Sequence, residues 1–311
     1  VETSLHDLIR YCFVVHLHPS LINGILCSRN AKNLIAHIFG EKALFVAYTD
    51  PGYTLFKKLE TEITEFRKNF SSDPKMIFLE NHGVFVAADT TKEIREIYDY
   101  IFKKTEERTE PISNVQELPY NSLLHKALPG IRMLLTKDSI KVIRHRHNTL
   151  ISKYYSSQQD FHNISLPLIP DVIVYCKARY LYIDQSSTAD RILESLRIQL
   201  PRFINEYGYL PKIIVIKDMG VFAIEENVTA AETSLDVFED NIRICHYALQ
   251  NGGIKFLTPE QTDFIDKWEV ENYRRKAVKP VGSGSRLENR IAVITGGAQG
   301  FGEGIASSLF S

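Results

Sequence analysis

Residues 74–85 read PKMIFLENHGVF, and residues 211–222 read PKIIVIKDMGVF. The two stretches are identical at six of twelve positions, with a constant offset of 137 residues. In each, an apolar run precedes a polar turn and a glycine opens a second apolar run, which predicts two strands joined by a tight turn. A helical pattern follows both copies. We interpret the pair as a duplicated α/β module; chance similarity between two strand–turn–strand segments is the alternative.

The turn of the first copy carries a histidine that the second copy lacks. His82 in the first copy corresponds to Met219 in the second. Whatever chemistry His82 supports is therefore absent from the second copy. We expect residues 165–250 to form a metal-free α/β module with a structural role, either covering the sheet of the first copy or forming a subunit contact.

Two further histidines, His16 and His18, lie two residues apart in a predicted strand that ends at Pro19. Side chains at i and i+2 of a strand point to the same face, so the two imidazoles can converge on one cation. An isolated H-x-H pair is more often two half-exposed strand residues. His82, at a turn where Gly83 permits an unusual backbone, supplies a third imidazole. Three histidines with an open fourth position are typical of catalytic zinc, which acts as a Lewis acid.

A second H-x-H pair, His145 and His147, is interleaved with Arg144 and Arg146. The two guanidinium groups would repel a cation. No asparagine-histidine-glycine turn follows this pair at the corresponding distance. We interpret it as a solvent-facing strand edge.

The metal motif has a family resemblance. Residues 14–19, VVHLHP, and residues 79–84, LENHGV, resemble the class II aldolase/adducin family, in which two strand histidines and one turn histidine hold zinc. Residues 2–6, ETSLH, resemble the family segment that supplies a catalytic glutamate, and Glu2 fills that position. The turn at 50–52 also resembles a family turn, so the resemblance covers about residues 1–110.

This resemblance implies retro-aldol cleavage of a sugar phosphate, often a deoxyketose 1-phosphate such as rhamnulose 1-phosphate. The expected products are dihydroxyacetone phosphate and lactaldehyde. Zinc would bind two adjacent oxygens of the dihydroxyacetone phosphate end, and Glu2 would take the proton in enediolate formation. A simpler role for Glu2 is that of a helix-start carboxylate favoured by the helix dipole. The phosphate-binding residues of the family would precede Val1.

A glycine-rich motif follows the metal motifs. Residues 290–302, RIAVITGGAQGFG, have the pattern of a strand, a glycine turn and a helix start, which can place a pyrophosphate at the helix N-terminus. They resemble short-chain dehydrogenases/reductases at Gly296, Gly300 and Gly302, which implies NAD(P) as cofactor in the intact protein. The residue that binds the ribose, roughly 20 residues further on, and the catalytic residues of that family would lie beyond Ser311. We therefore do not expect this chain to bind the cofactor appreciably by itself.

The order of these parts resembles bifunctional rhamnulose-phosphate aldolase/alcohol dehydrogenases, as do residues 169–176 and 264–271. The expected fold is an α/β/α aldolase-like module with a degenerate second copy, followed by the first βα unit of a Rossmann domain. The alternatives are a short-chain oxidoreductase with a structural aldolase-like part, and a non-catalytic, adducin-like interaction module. The expected divisions are an N-terminally truncated aldolase-like domain (1–115), a degenerate repeat (116–277), a linker (278–288) and a truncated dehydrogenase start (289–311).

Net charge and cysteine spacing argue against several kinds of partner and site. The net charge of −1 gives no global field to attract nucleic acid or a membrane surface. The four cysteines form no C-x-x-C pair, which argues against a disulfide framework and a thiolate zinc site. We expect a cytoplasmic homo-oligomer that acts on a small sugar phosphate, without nucleic-acid or membrane partners.

Overall fold

Two four-stranded mixed β-sheets form the centre of the structure, a computed structural model that describes residues 3–136, 139–267 and 292–310. Helices cover both sheets, so the expected α/β class is confirmed. We refer to the described residues up to 115 as the first half, and to those from 116 to 267 as the second half. Each half contains one sheet.

The strands of the first half are β1 (Phe13–Leu17), β2 (Ala43–Val46), β3 (Met76–Leu79) and β4 (Gly83–Ala88). Its helices are α1 (Thr3–Leu8), α2 (Ser20–Leu26), α3 (Ala31–Phe39), α4 (Tyr53–Phe70) and α5 (Thr91–Glu106), with a 3-10 turn at Gly40–Lys42. The strand order is β1-β4-β3-β2. β4 pairs antiparallel with β1 and β3, whereas β2 runs parallel to β3. The edge strand β1 therefore lies beside the strand that follows the His82 turn.

The strands of the second half are β5 (Val142–Arg146), β6 (Leu181–Ile183), β7 (Ile213–Ile216) and β8 (Gly220–Glu225). Its helices are α6 (Leu123–Leu135), α7 (Gln158–His162), α8 (Pro170–Cys176), α9 (Ala189–Tyr207), α10 (Val228–Gln250) and α11 (Pro259–Lys267), with a 3-10 turn at Ile151–Tyr154. The strand order, β5-β8-β7-β6, and the strand directions repeat those of the first sheet.

The two sheets also agree in register. His16 is paired with Phe85 in the first sheet, and His145 is paired with Phe222 in the second. The hairpin turns match as well, because Asn81 and Asp218 both adopt left-handed backbone, with φ of 52° and 57°. The two H-x-H pairs therefore occupy equivalent positions in two sheets of the same topology.

Helix starts are repeated along with the strands. The Glu93 N–H donates to the Thr90 hydroxyl at the start of α5, and the Ala230 N–H donates to the Asn227 side chain at the start of α10. Such N-caps satisfy backbone donors that a helix leaves unpaired, and each contributes about 1 kcal/mol. In both halves, the second strand of the hairpin is therefore followed by a helix with a side-chain N-cap.

Alternate residues of the central strands face opposite helical layers. Phe78 and Val84 pack with α2, α3 and α5 on one face of the first sheet, whereas Ile77 and Phe85 pack with α4 and the end of α1 on the other. All four side chains are fully buried. Burying a side chain of this size contributes about 1.5–3 kcal/mol. The second sheet is layered in the same way, with α6 and α9 on one face and α8 and α10 on the other.

The two halves are joined through helices α2 and α10, which pack against each other. Gly24 lies at their crossing, where an added Cβ would overlap Tyr247 Cβ and come within 3.2 Å of its Cγ. Beyond the helices, Ser28 and Ile254 form an antiparallel bridge between the halves. The backbones of the two halves are therefore in direct contact close to the His82 turn.

One expected element is wrong in the part that the structure describes. Residues 292–294 are not in a strand, and the helix Gly300–Phe310 follows a turn. A strand is defined by a paired neighbour, and the described residues provide none for 292–294. The linker 278–288 and residues 290–291 lie outside the described residues, as does Glu2.

Candidate metal centre

Strand β1, which contains His16 and ends one residue before His18, places both histidines on one face at the edge of the first sheet. Leu17, between them, points to the other face and is exposed. The two Nε2 atoms lie 2.9 Å apart. The His16 ring stacks on the buried ring of Phe85, with centroids 3.9 Å apart and planes inclined by 14°. Because Phe85 is part of the sheet core, this contact fixes the plane of the His16 imidazole.

The turn between β3 and β4 brings His82 to the same place. Its side chain is buried, and its Nε2 lies 3.4 Å from His16 Nε2. Gly83, the next residue, faces the end of β1. A Cβ there would overlap the His18 ring and lie 2.6 Å from the Leu17 carbonyl oxygen. Glycine at this position therefore allows His18 and the turn to approach each other.

Buried hydrogen bonds from both halves hold the His82 turn. The Asn23 amide, on α2, donates to the His82 carbonyl at 3.1 Å. The Asn81 amide donates to the Leu168 and Lys255 carbonyls, both at 2.9 Å. Leu168 and Lys255 belong to the second half, so both halves position the third histidine.

The arrangement fits a divalent cation. The ligand atoms of the three histidines lie within 4.8 Å of one another. Tetrahedral zinc with Zn–N bonds of about 2.0–2.1 Å separates its ligand nitrogens by about 3.4 Å. His16 Nδ1 lies 3.1 Å from the Val84 carbonyl and His18 Nδ1 lies 2.6 Å from Asp171 Oδ2. These bonds occupy the Nδ1 atoms and leave both Nε2 lone pairs directed towards a common point.

Glu80 lies next to the turn but has other partners. Its Oε2 accepts the Tyr48 N–H at 2.9 Å, and its Oε1 lies 2.6 Å from the Lys255 ammonium. The Glu80 side chain is only 11% exposed, which strengthens an ion pair relative to one in open solvent. We therefore interpret Glu80 as a residue that fastens the turn to the second half.

The equivalent pair of the second sheet is arranged differently. His145 Nε2–H donates to the Met219 carbonyl at 2.6 Å, and His147 Nε2 lies 2.8 Å from the Tyr155 hydroxyl. The pair lies at a sheet edge as expected, because β5 is an edge strand, but the expectation that it faces solvent is wrong, because both histidines are half-buried. Tyr120 packs edge-on against His145 at 5.5 Å. Burial lowers the pKa of His145.

The structure brings together the three histidines predicted as metal ligands, while zinc binding itself remains a prediction. Glu2, the predicted base, lies outside the described residues. Of the three glycines of the predicted phosphate site, Gly296 lies in a turn, whereas Gly300 and Gly302 lie at the start of the helix that follows. Gly296 and Gly300 have φ of 68° and 61°, and a Cβ at Gly302 would overlap the Gly296 carbonyl. Their role in cofactor binding also remains a prediction.

Sequence reasoning missed the residues that support the histidines. Asp171 is 153 residues from His18, and the sequence carries no signal for that contact. The carbonyl partners of Asn81 could not be predicted from the sequence either, because every residue type provides a backbone carbonyl. Asn81 itself had a usable signal: asparagine adopts left-handed backbone more readily than most residues. That signal identifies the turn but not the amide's role in joining the halves.

Comparison with known proteins shows a distant similarity to a bacterial protein. The chain is 22% identical over 333 aligned residues to the "Uncharacterized oxidoreductase YuxG" of Bacillus subtilis (strain 168). The alignment covers 97% of this chain and 47% of the relative, so the chain spans about half the length of that protein. No protein-family model matches the chain, and no solved structure is significantly similar to it. Among the described residues, no helix has both the length and the apolar composition to cross a bilayer.

Proposed function

We propose that residues 1–115 belong to a divalent-metal lyase that cleaves a sugar phosphate by a retro-aldol reaction. The observation that carries this proposal is the convergence of His16, His18 and His82 through their ring nitrogens. The resemblance of both histidine motifs to class II aldolases supports it. Zinc or a similar ion at this place would supply Lewis-acid polarisation of substrate oxygens.

The chain's own residues would bind and orient in this proposal. His16 and His18 are held by hydrogen bonds at Nδ1, so their rings do not need to reorganise during the reaction. Glu2 is proposed as the acid–base group at the reacting carbon, in line with the family segment that it resembles. In cleavage it would give a proton to the carbon left by the broken C–C bond, and in the reverse, condensation direction it would take that proton. The proposed substrate is a deoxyketose 1-phosphate, and the products are dihydroxyacetone phosphate and lactaldehyde.

The second candidate is an oxidoreductase activity of the intact protein. The relative's printed name and the resemblance of Gly296, Gly300 and Gly302 to a dehydrogenase turn favour it. The cofactor would be NAD(P). The two activities are compatible, since a dehydrogenase could oxidise or reduce the lactaldehyde that aldol cleavage releases. A purely structural aldolase-like part, or an adducin-like module, would need no converging histidines.

Metal analysis combined with cleavage assays tests the proposal. Purified full-length protein should contain about one zinc or similar ion per chain and cleave a ketose 1-phosphate from a panel of sugar phosphates. His82→Met should abolish both properties. Methionine is already present and buried at the equivalent Met219, so the same type of turn accommodates this side chain in the second half.

The matched control is His145→Ala, in the same register of the second sheet as His16. It should leave metal content and cleavage unchanged. Equal metal content in wild type and His82→Met would contradict the assignment of the ligands. A metal-loaded wild-type protein that cleaves no substrate in the panel, but turns over lactaldehyde with NAD(P), would favour the oxidoreductase candidate.

A further inference from the structure

A carboxylate from the second half reaches the candidate metal centre of the first. Asp171 is the second residue of α8, and its Oδ2 lies 2.6 Å from Nδ1 of His18. The His18 and Asp171 side chains are 22% and 36% exposed, so the pair is partly shielded from solvent. The contact joins residues of different halves, and it forms on the ring nitrogen opposite the one that faces the other histidines.

The position of α8 is fixed independently of this contact. Leu168, two residues before the helix, accepts a hydrogen bond from the buried Asn81 amide at 2.9 Å. The Leu168 N–H donates to the Asn241 side chain on α10. Val172 and Ile173, the residues that follow Asp171, are completely buried. Asp171 is therefore presented to His18 by packed structure rather than by a freely moving loop.

We propose that Asp171 is a positioning residue for the metal centre, and that the second half thereby completes the site of the first. Its carboxylate accepts a hydrogen bond from the Nδ1–H of His18, and this tautomer keeps the Nε2 lone pair available for the ion. The proposal rests on the proposed metal centre but not on the identity of the substrate. It assigns to the degenerate repeat a role beyond packing.

The competing explanation is an ion pair at the helix start. An acidic residue in the first turn stabilises a helix through its dipole, wherever that helix lies. Asp190 provides the matched control, since it is the second residue of α9 as Asp171 is of α8. Both variants, Asp171→Ala and Asp190→Ala, remove a first-turn charge, but only the first removes a partner of a candidate ligand.

The test is zinc affinity of the metal-stripped full chain, measured by competition with a chelator. Asp171→Ala should bind zinc about 10–100-fold more weakly than wild type, the usual effect of losing such a partner. Asp171→Asn, which keeps the shape and one acceptor oxygen, should lose less. Asp190→Ala should match wild type. In the metal-free protein, ¹⁵N NMR should show His18 protonated at Nδ1 in wild type and shifted towards the other tautomer in Asp171→Ala.

The outcomes separate this proposal from the proposed function. Wild-type zinc affinity and an unchanged His18 tautomer in Asp171→Ala would overturn the role of Asp171 and leave the metal centre standing. If wild type bound no zinc, and His82→Met behaved like wild type, both proposals would be overturned. Should Asp171→Ala fail to fold, Asp171→Asn carries the test, and the same affinity and tautomer measurements decide it.

Discussion

At the scale of single residues, equivalent histidines in the two sheets have different partners. His16 directs Nε2 towards two other imidazoles, whereas His145 donates from Nε2 to the backbone carbonyl of Met219. The turn residue differs between the halves, with His82 in the first and Met219 in the second. With no third imidazole, the turn carbonyl becomes the partner of the strand histidine. The candidate metal site therefore depends on three side chains on a scaffold that is present twice.

The pKa of His145 provides a prediction at this scale. Burial lowers it, and the neighbouring His147 acts in the same direction, against the hydrogen bond to Met219. The unfolded chain, with a pKa of about 6.5, therefore binds a proton at a higher pH than the folded protein does. The stability contributed by neutral His145 is fully present above about pH 6.5 and decreases as the pH falls below it.

An NMR titration of the His145 ring should give a midpoint below about 6.5. His145→Gln, which keeps a donor for the Met219 carbonyl, should reduce the loss of unfolding free energy between neutral pH and pH 5. That loss cannot exceed about 1.4 kcal/mol per pH unit for one group. A midpoint above the unfolded value would show that the hydrogen bond outweighs burial.

At the scale of elements, the sequence predicted strands and helices best where the hydrophobic pattern was regular and turn residues marked its ends. The two strands expected within residues 74–85 match β3 and β4, and the helical pattern expected after them matches α5. Both strands are buried along their whole length, and the buried residues of α5 recur every three or four positions. The sequence also predicted that His16 and His18 would share a face, because an i, i+2 pair is a local feature. The association of His82 with them is long-range, and it was expected from the resemblance of both motifs to one family.

Other features depended on tertiary structure and could not be predicted in this way. The equivalence of the two H-x-H pairs was missed because His16 and His82 are 66 residues apart, whereas His145 and Met219 are 74 apart. A longer connection in the second half hides the repeat from a constant-offset comparison. Residues 292–294 have strand-like composition, yet a strand also needs a neighbour to pair with. Composition alone cannot provide that neighbour.

The crossing of α2 and α10 gives a prediction at this scale. A Cβ at Gly24 would overlap Tyr247, so Gly24→Ala must push the helices apart. We expect a loss of about 1–3 kcal/mol in the free energy of unfolding, the usual cost of overpacking. Because Asn23 of α2 donates to the His82 carbonyl, zinc affinity should fall as well.

Denaturant unfolding and zinc competition measure these two effects. Gly304→Ala is the control, since a Cβ there has no heavy atom within 4 Å and alanine favours a helix. It should leave both quantities unchanged or slightly raise stability. Wild-type stability and zinc affinity in Gly24→Ala would show that the helix contact adapts without disturbing the turn.

At the scale of the whole molecule, the candidate centre lies where the two halves meet. Asn81 donates to two carbonyls of the second half, and Asp171 reaches back to His18. Together with the packing of α2 against α10, these contacts mean that each half would lose partners if the other unfolded. We therefore expect residues 3–267 to unfold in one cooperative transition rather than in two.

Zinc binding tests this coupling most directly. An ion that binds only the folded protein stabilises it by about 2.7 kcal/mol at a concentration 100 times its Kd. If the halves unfold together, the most protected amides of β3 and β7 should gain the same protection from hydrogen exchange on adding zinc. This is expected even though the candidate ligands all lie in the first half. In His82→Met, zinc should change neither set of amides. Protection gained only in the first sheet would mean that the halves unfold independently, and that the contacts through Asn81 and Asp171 are too weak to couple them.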